Sequence, residues 1–126
     1  MTFAVTGIYA AALTALYLVL TARVITYRRG NKVSLGDGDD PVLRARVRAH
    51  GNLAEYAPLG LILLLIAEAQ ATPAVWLHAT GILLLAGRLL HGVNFSFGLR
   101  RMQLRVGGMI LTLLALALGA VLVLPL

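Results

Sequence analysis

The side chains best equipped for chemistry lie in Arg48-Ala49-His50-Gly51-Asn52-Leu53-Ala54-Glu55-Tyr56, which leads straight into the apolar run Ala57-Pro58-Leu59-Gly60-Leu61-Ile62-Leu63-Leu64-Leu65-Ile66-Ala67. On a helix Arg44, Arg48, Asn52 and Glu55 fall at i, i+4, i+8 and i+11, which places them on one face. Guanidinium, amide and carboxylate groups at the mouth of an apolar segment are costly unless they face a bundle interior or a wet cavity, and there they read as a functional site. Arg44 alone fits a simpler role as a helix-end anchor whose long side chain reaches the headgroups. Glu55 is too short to escape in that way, so Arg48, Asn52 and Glu55 together read as ligand-binding groups. A second stripe supports them: Arg88, His91 and Phe95 fall at i, i+3 and i+7. His91 by itself is as consistent with a satisfied structural histidine as with a ligand. No second histidine or carboxylate stands at metal-ligand spacing beside it, so no metal is expected.

These residues must be positioned by membrane-spanning helices. The chain has 126 residues, 60% of them hydrophobic, against about 45–50% in soluble domains. The formal net charge is +6, but its distribution speaks against nucleic acid. The eleven basic residues are confined to Arg23–Lys32, Arg44–Arg48, Arg88 and Arg100–Arg105, the asymmetry of the positive-inside rule. Cysteine is absent, which rules out disulfides, thiolate metal sites and a cysteine nucleophile.

Phe3 to Ala22 carries no charge and is about as long as the ~20 residues that cross a hydrocarbon core. Its positive charges follow rather than precede it, so it reads as a retained first span and not a secretory signal. Gly30 to Asp40 has strong turn composition. Asp37, Asp39 and Asp40 lack the remaining spacing of a calcium loop, and Asp40-Pro41 supplies an N-cap and a first-turn proline. A second helix is expected from Val42 to Ala69, bent at Pro58. Glu68, Gln70, Thr72 and Pro73 mark the far membrane face, with Trp76 as an interfacial anchor. The third span is expected over Ala74 to Phe97. A basic turn, Gly98 to Arg101, leads to a fourth span over Val106 to Leu124 with Arg105 at its start, and Gly107, Gly108 and Gly119 are expected to permit close packing. The layout is all-α: one four-helix membrane bundle over residues 1–126, with both termini periplasmic and the basic loops cytoplasmic.

The segment from Arg48 to Pro58 resembles the signature of the membrane-associated proteins in eicosanoid and glutathione metabolism, the MAPEG superfamily: Arg-Ala-His/Gln, then Asn, then Glu-Tyr, then Pro. Val24-Ile25 with Arg28-Arg29, Arg88-Leu89-Leu90-His91 and Gln103-Leu104-Arg105 are similar to the corresponding parts of the first, third and fourth helices. The likeness covers nearly the whole chain and is greatest to the small bacterial branch. It implies a homotrimer in a bacterial inner membrane, surrounded by lipid, with glutathione held between subunits toward the cytoplasm. By position it implies that Arg48, Asn52, Glu55, Tyr56, Arg88 and His91 line the glutathione site. It also implies that Arg29 is contributed by a neighbouring subunit and that Arg105 stabilises the thiolate. Gly51, Phe95 and Val106 depart from residues found in several members, which removes the basis for naming a particular eicosanoid reaction.

The implied activity is a transferase or peroxidase that activates the glutathione thiol against a lipophilic electrophile. Arginine suits the two carboxylates and Glu55 the ammonium of such a ligand. The alternative is a non-catalytic protein that binds glutathione or an anionic lipid headgroup at subunit interfaces. A small transporter is disfavoured because no paired halves or broken helices are evident.

Overall fold

The computed structural model describes residues 2–125 and contains four helices: α1 (Ala4–Asn31), α2 (Pro41–Ala69), α3 (Ala74–Ser96) and α4 (Met102–Val123). Each is long and apolar enough to cross a membrane. The second and third agree closely with the sequence reading. Two others run further than their uncharged stretches. The first continues beyond Ala22 to Asn31, because Arg23, Arg28 and Arg29 end the hydrophobic span without ending the helix. The fourth begins at Met102 rather than Val106, so Arg105 sits in its first turns.

The ends of the helices follow local chemistry. Asp40 caps α2, its carboxylate accepting from the amides of Val42 at 2.9 Å and Leu43 at 3.4 Å, with Pro41 occupying the first turn. The same carboxylate accepts from the Tyr27 hydroxyl at 2.6 Å, and this hydrogen bond holds its pKa below the usual aspartate value. Helix α2 remains helical through Pro58, although proline removes one ladder bond there. Phe3 offers α1 no side-chain cap. Glu68, at the end of α2, replaces it: its two carboxylate oxygens accept from the amides of Val5 at 2.9 Å and Thr6 at 2.8 Å. A negative charge at a helix N-terminus satisfies unpaired donors and complements the helix dipole.

Helices α2 and α3 form the centre, α1 packs against both, and α4 packs against both from elsewhere, with no packing between α1 and α4 among the described residues. The core is made of Leu13, Leu16 and Leu20 from α1, Ala49, Leu53 and Ala57 from α2, Leu84 from α3 and Ala115 from α4. A second cluster, Tyr9, Leu64, Ala67 and Leu77, closes the far end. Large apolar side chains such as Ile62, Ile82, Ile110 and Leu113 point outward, as a lipid solvent permits.

Backbone contact between α3 and α4 sets the depth of the central site. A Cβ at Gly87 would stand 2.7 Å from the Gly108 carbonyl oxygen, and one at Gly108 would stand 2.9 Å from that of Gly87. Gly119 likewise fits against Leu63. Gly107 differs from the sequence reading: a Cβ there would meet nothing within 4 Å, because it points away from this contact. Gly87→Ala is therefore expected to lower stability by about 1–3 kcal/mol through overpacking. Gly107→Ala is expected to be neutral or to stabilise by up to about 1 kcal/mol through helix propensity. Thermal unfolding in mild detergent separates the two; equal losses would contradict the packing of α3 on α4.

Candidate functional site

The centre of the bundle is organised around Arg88, whose side chain is 1% exposed. Its Nε donates to Thr112 Oγ1 at 2.9 Å, one terminal nitrogen donates to Asn52 Oδ1, and the other lies 3.3 Å from the Met109 sulfur. The guanidinium carbon lies 5.1 Å from the centre of the Tyr56 ring. Thr112 in turn donates to the Gly108 carbonyl at 2.8 Å, which leaves its oxygen lone pairs directed at Arg88. Helices α2, α3 and α4 are thus joined through one cation. Among the described residues the arginine–carboxylate ion pairs are Arg44–Asp37 and Arg48–Glu55, so no carboxylate neutralises Arg88. A buried charge held only by neutral dipoles is expensive, and it raises the affinity of its surroundings for an anion.

The face anticipated on α2 is divided. Asn52 turns inward to Arg88 and is buried. Arg48 and Glu55 flank it on the outside, 3.6 Å apart, each with 57% of its side chain exposed. Tyr56 is half-buried between these two environments. Arg44 pairs instead with Asp37 at 2.7 Å, in keeping with a helix-end role.

On α3, His91 is buried and stacks on Phe95, with ring centres 4.6 Å apart. Arg105 of α4 lies over the other end of this stack, 5.6 Å from the Phe95 ring centre. Contact therefore runs from Arg105 through Phe95 to His91, one turn from Arg88. Arg105 itself is exposed. Within the protomer, then, the structure brings together Asn52, Tyr56 and Arg88, sets His91 and Arg105 beside them, and leaves Arg48 and Glu55 at the rim. Arg29 is not gathered in. It stands exposed on the last turn of α1, in a shallow surface formed with Ile25, Arg28 and Lys32.

Thr112 and Met109 escaped the sequence reading. A signal existed for the first: Thr112 is the sole hydroxyl side chain in the stretch from Val106 to Leu124, and such a group in a membrane helix needs a partner. Met109 gave none.

Four membrane-length helices around a buried, arginine-centred polar cluster define an integral membrane protein. The sequence model of the MAPEG family matches residues 6–124, and the chain belongs to that family. Inner membrane protein YecN of Escherichia coli (strain K12) is 35% identical over 114 residues, covering 90% of this chain and 86% of that protein. YecN of Escherichia coli O6:H1 is similar to the same extent. No solved structure matches the chain. Together with the four spans, these relatives make it an integral inner membrane protein.

The hydrogen bond from Arg88 to Asn52 gives a direct test. Interhelical side-chain bonds in membranes average about 0.6 kcal/mol, but bonds to a charged group reach about 1.5–3 kcal/mol. Asn52→Leu is expected to cost an amount in the upper range, because it strands a donor of a buried cation. Asn52→Leu combined with Arg88→Met is expected to recover part of that loss. Detergent unfolding of both variants measures it; additive losses would show that the two side chains are not coupled.

Proposed function

We propose that this protein is a glutathione-dependent membrane transferase or peroxidase that acts on lipophilic electrophiles. The observation that carries the reading is the charge balance of the site. Arg48 pairs with Glu55, Arg88 lies over Tyr56 and Arg105 over Phe95, so three guanidiniums stand against one carboxylate and the site is net cationic yet retains one anionic group. Glutathione, with two carboxylates and one ammonium, has the complementary balance. The donor set therefore fits it. Guanidinium forks suit the carboxylates, Glu55 suits the ammonium, and Asn52 and Tyr56 would help to orient the peptide. What glutathione supplies is a nucleophilic sulfur, whose thiol has a pKa of about 8.5 when unperturbed.

Arg105 is the residue suited to that sulfur. It lies in the first turns of α4, where its own charge and the helix dipole both favour an anion. Phe95 and His91 form an apolar wall beside it that limits water near the developing charge. The electrophile would approach along the lipid-facing side of α4, where Val106 and Ile110 are exposed. Arg105 then stabilises the thiolate as it forms the new bond and the leaving group departs with its electron pair.

The same reading includes a homotrimer with the basic end cytoplasmic. Glu55 stands about 20 Å from Glu68 along α2 at 1.5 Å per residue, hence inside a hydrocarbon layer about 30 Å thick. An exposed ionised group at such depth costs roughly 2.5–3.5 kcal/mol. A cyclic assembly would cover Arg48 and Glu55 and allow Arg29 of a neighbour to complete the site.

Titration of the purified protein with glutathione, following thiolate absorbance, and then addition of an aromatic halide, tests the proposal. Arg105→Ala is expected to reduce conjugation about 10²–10³-fold while leaving glutathione binding largely intact, whereas Arg48→Ala and Glu55→Ala mainly raise KM. Wild-type binding without turnover would favour the non-catalytic alternative. Native mass spectrometry that finds only monomer in mild detergent would remove the shared site.

A further inference from the structure

A cleft of about 530 Å³ opens at the basic end of the protomer, walled by parts of all four helices and by the loop between α3 and α4. Five arginines line it: Arg23, Arg46, Arg100, Arg101 and Arg105. No carboxylate lies within ion-pair distance of any of them among the described residues. Four of the five acidic side chains are engaged elsewhere, Asp40 and Glu68 at helix N-termini, Asp37 with Arg44, and Glu55 with Arg48.

The five are not equivalent. Arg23 is occupied by α3: its Nε and one terminal nitrogen donate to the hydroxyl and carbonyl of Ser96 at 2.7 and 3.0 Å. Arg46 is only half occupied. One terminal nitrogen donates to the Arg23 carbonyl at 3.0 Å, but its Nε is buried and has no hydrogen-bond partner. A buried donor without an acceptor costs about 1–3 kcal/mol, so an acceptor entering the cleft would relieve it. Arg100 and Arg101 are exposed on the loop and at the N-cap of α4. Helix α4 has no side-chain cap, and Met102 of its first turn lines this cleft.

Cavity, uncompensated charge and orphaned donor agree on the sign of the ligand, and size and lining refine its class. The volume falls within the ~300–1,000 Å³ of small-molecule sites, more than an inorganic anion fills. Val42 and Met102 add apolar surface among the arginines. Phosphate esters are the anions best matched to several converging guanidinium forks. The cleft also lies at the ends of the membrane-length helices, where lipid headgroups would stand.

We propose that this cleft binds an anionic phosphate ester, one per protomer. Four of its arginines take no part in the site around Arg88. It is therefore a second site that shares Arg105 as a wall. The phosphate ester comes either from an anionic phospholipid or from a soluble phosphorylated compound.

Native mass spectrometry of the full chain in neutral detergent, with added phosphatidylglycerol, phosphatidylcholine or glycerol 3-phosphate, tests the proposal. Phosphatidylglycerol is expected to bind once per protomer and phosphatidylcholine not to bind. Tight binding of glycerol 3-phosphate in its place would assign the same site to a soluble phosphate. Arg100→Gln and Arg101→Gln, both exposed and without structural side-chain bonds, are expected to weaken the bound probe roughly fivefold each. Arg46→Gln, checked for an unchanged melting temperature, is expected to do so as well. Lys32→Gln, a basic position outside the cleft, is expected to change nothing. Equal binding of phosphatidylcholine, equal loss in Lys32→Gln, or failure of all three probes to bind overturns the proposal.

Discussion

The arrangement of this bundle depends on the burial of one guanidinium. Arg88 lies where neither water nor a carboxylate can neutralise it, so its donors must be met by dipoles from neighbouring helices. Asn52 on α2 and Thr112 on α4 provide them. Those dipoles reach it only because α3 and α4 touch backbone to backbone at Gly87 and Gly108. Asn52, Thr112, Gly87 and Gly108 thus serve one constraint: a charge in a low-dielectric interior needs several short polar contacts at once.

The remaining charges obey a related economy. The chain carries five carboxylates against eleven basic side chains. Glu68 satisfies the start of α1, and Asp40 the start of α2. Little negative charge is left for the basic end, where the ends of all four helices converge around arginines. A surface of that kind, set at the depth of headgroups, draws anions by Coulomb attraction in a medium that screens less than bulk water.

Rigid helices also suit the proposed chemistry. The residues that would hold the ligand project from membrane spans rather than from loops, and the stack of His91 on Phe95 beneath Arg105 is fixed by helix packing. Such a site needs little reorganisation when charge develops on sulfur, which is where electrostatic stabilisation is most effective. In the proposed reaction the bilayer itself would concentrate an apolar acceptor beside α4.

Much of this was legible in the sequence. Apolar length determined four spans, the arginines determined which loops share a membrane face, and Asp40-Pro41 determined the start of α2, because each of these is a local property of chain chemistry. The motif from Arg48 to Pro58 marked the family. Other features depended on where neighbouring helices lie. Helical periodicity put Arg48, Asn52 and Glu55 on one face, since about 100° per residue brings them within a narrow arc. Packing of α3 against that arc then divided it, turning Asn52 inward and leaving the ion pair outside. Hydropathy marked where spans end but not where helices end, so α1 and α4 extend past their uncharged stretches. It distinguished neither the packed Gly108 from the open Gly107 nor the role of Thr112. The arginine cleft joins residues from Arg23 to Arg105, and only the folded chain brings them together. Local chemistry acts through bonded neighbours and can be read in order along the chain. Burial, charge compensation and cavity shape are set by groups that meet in space.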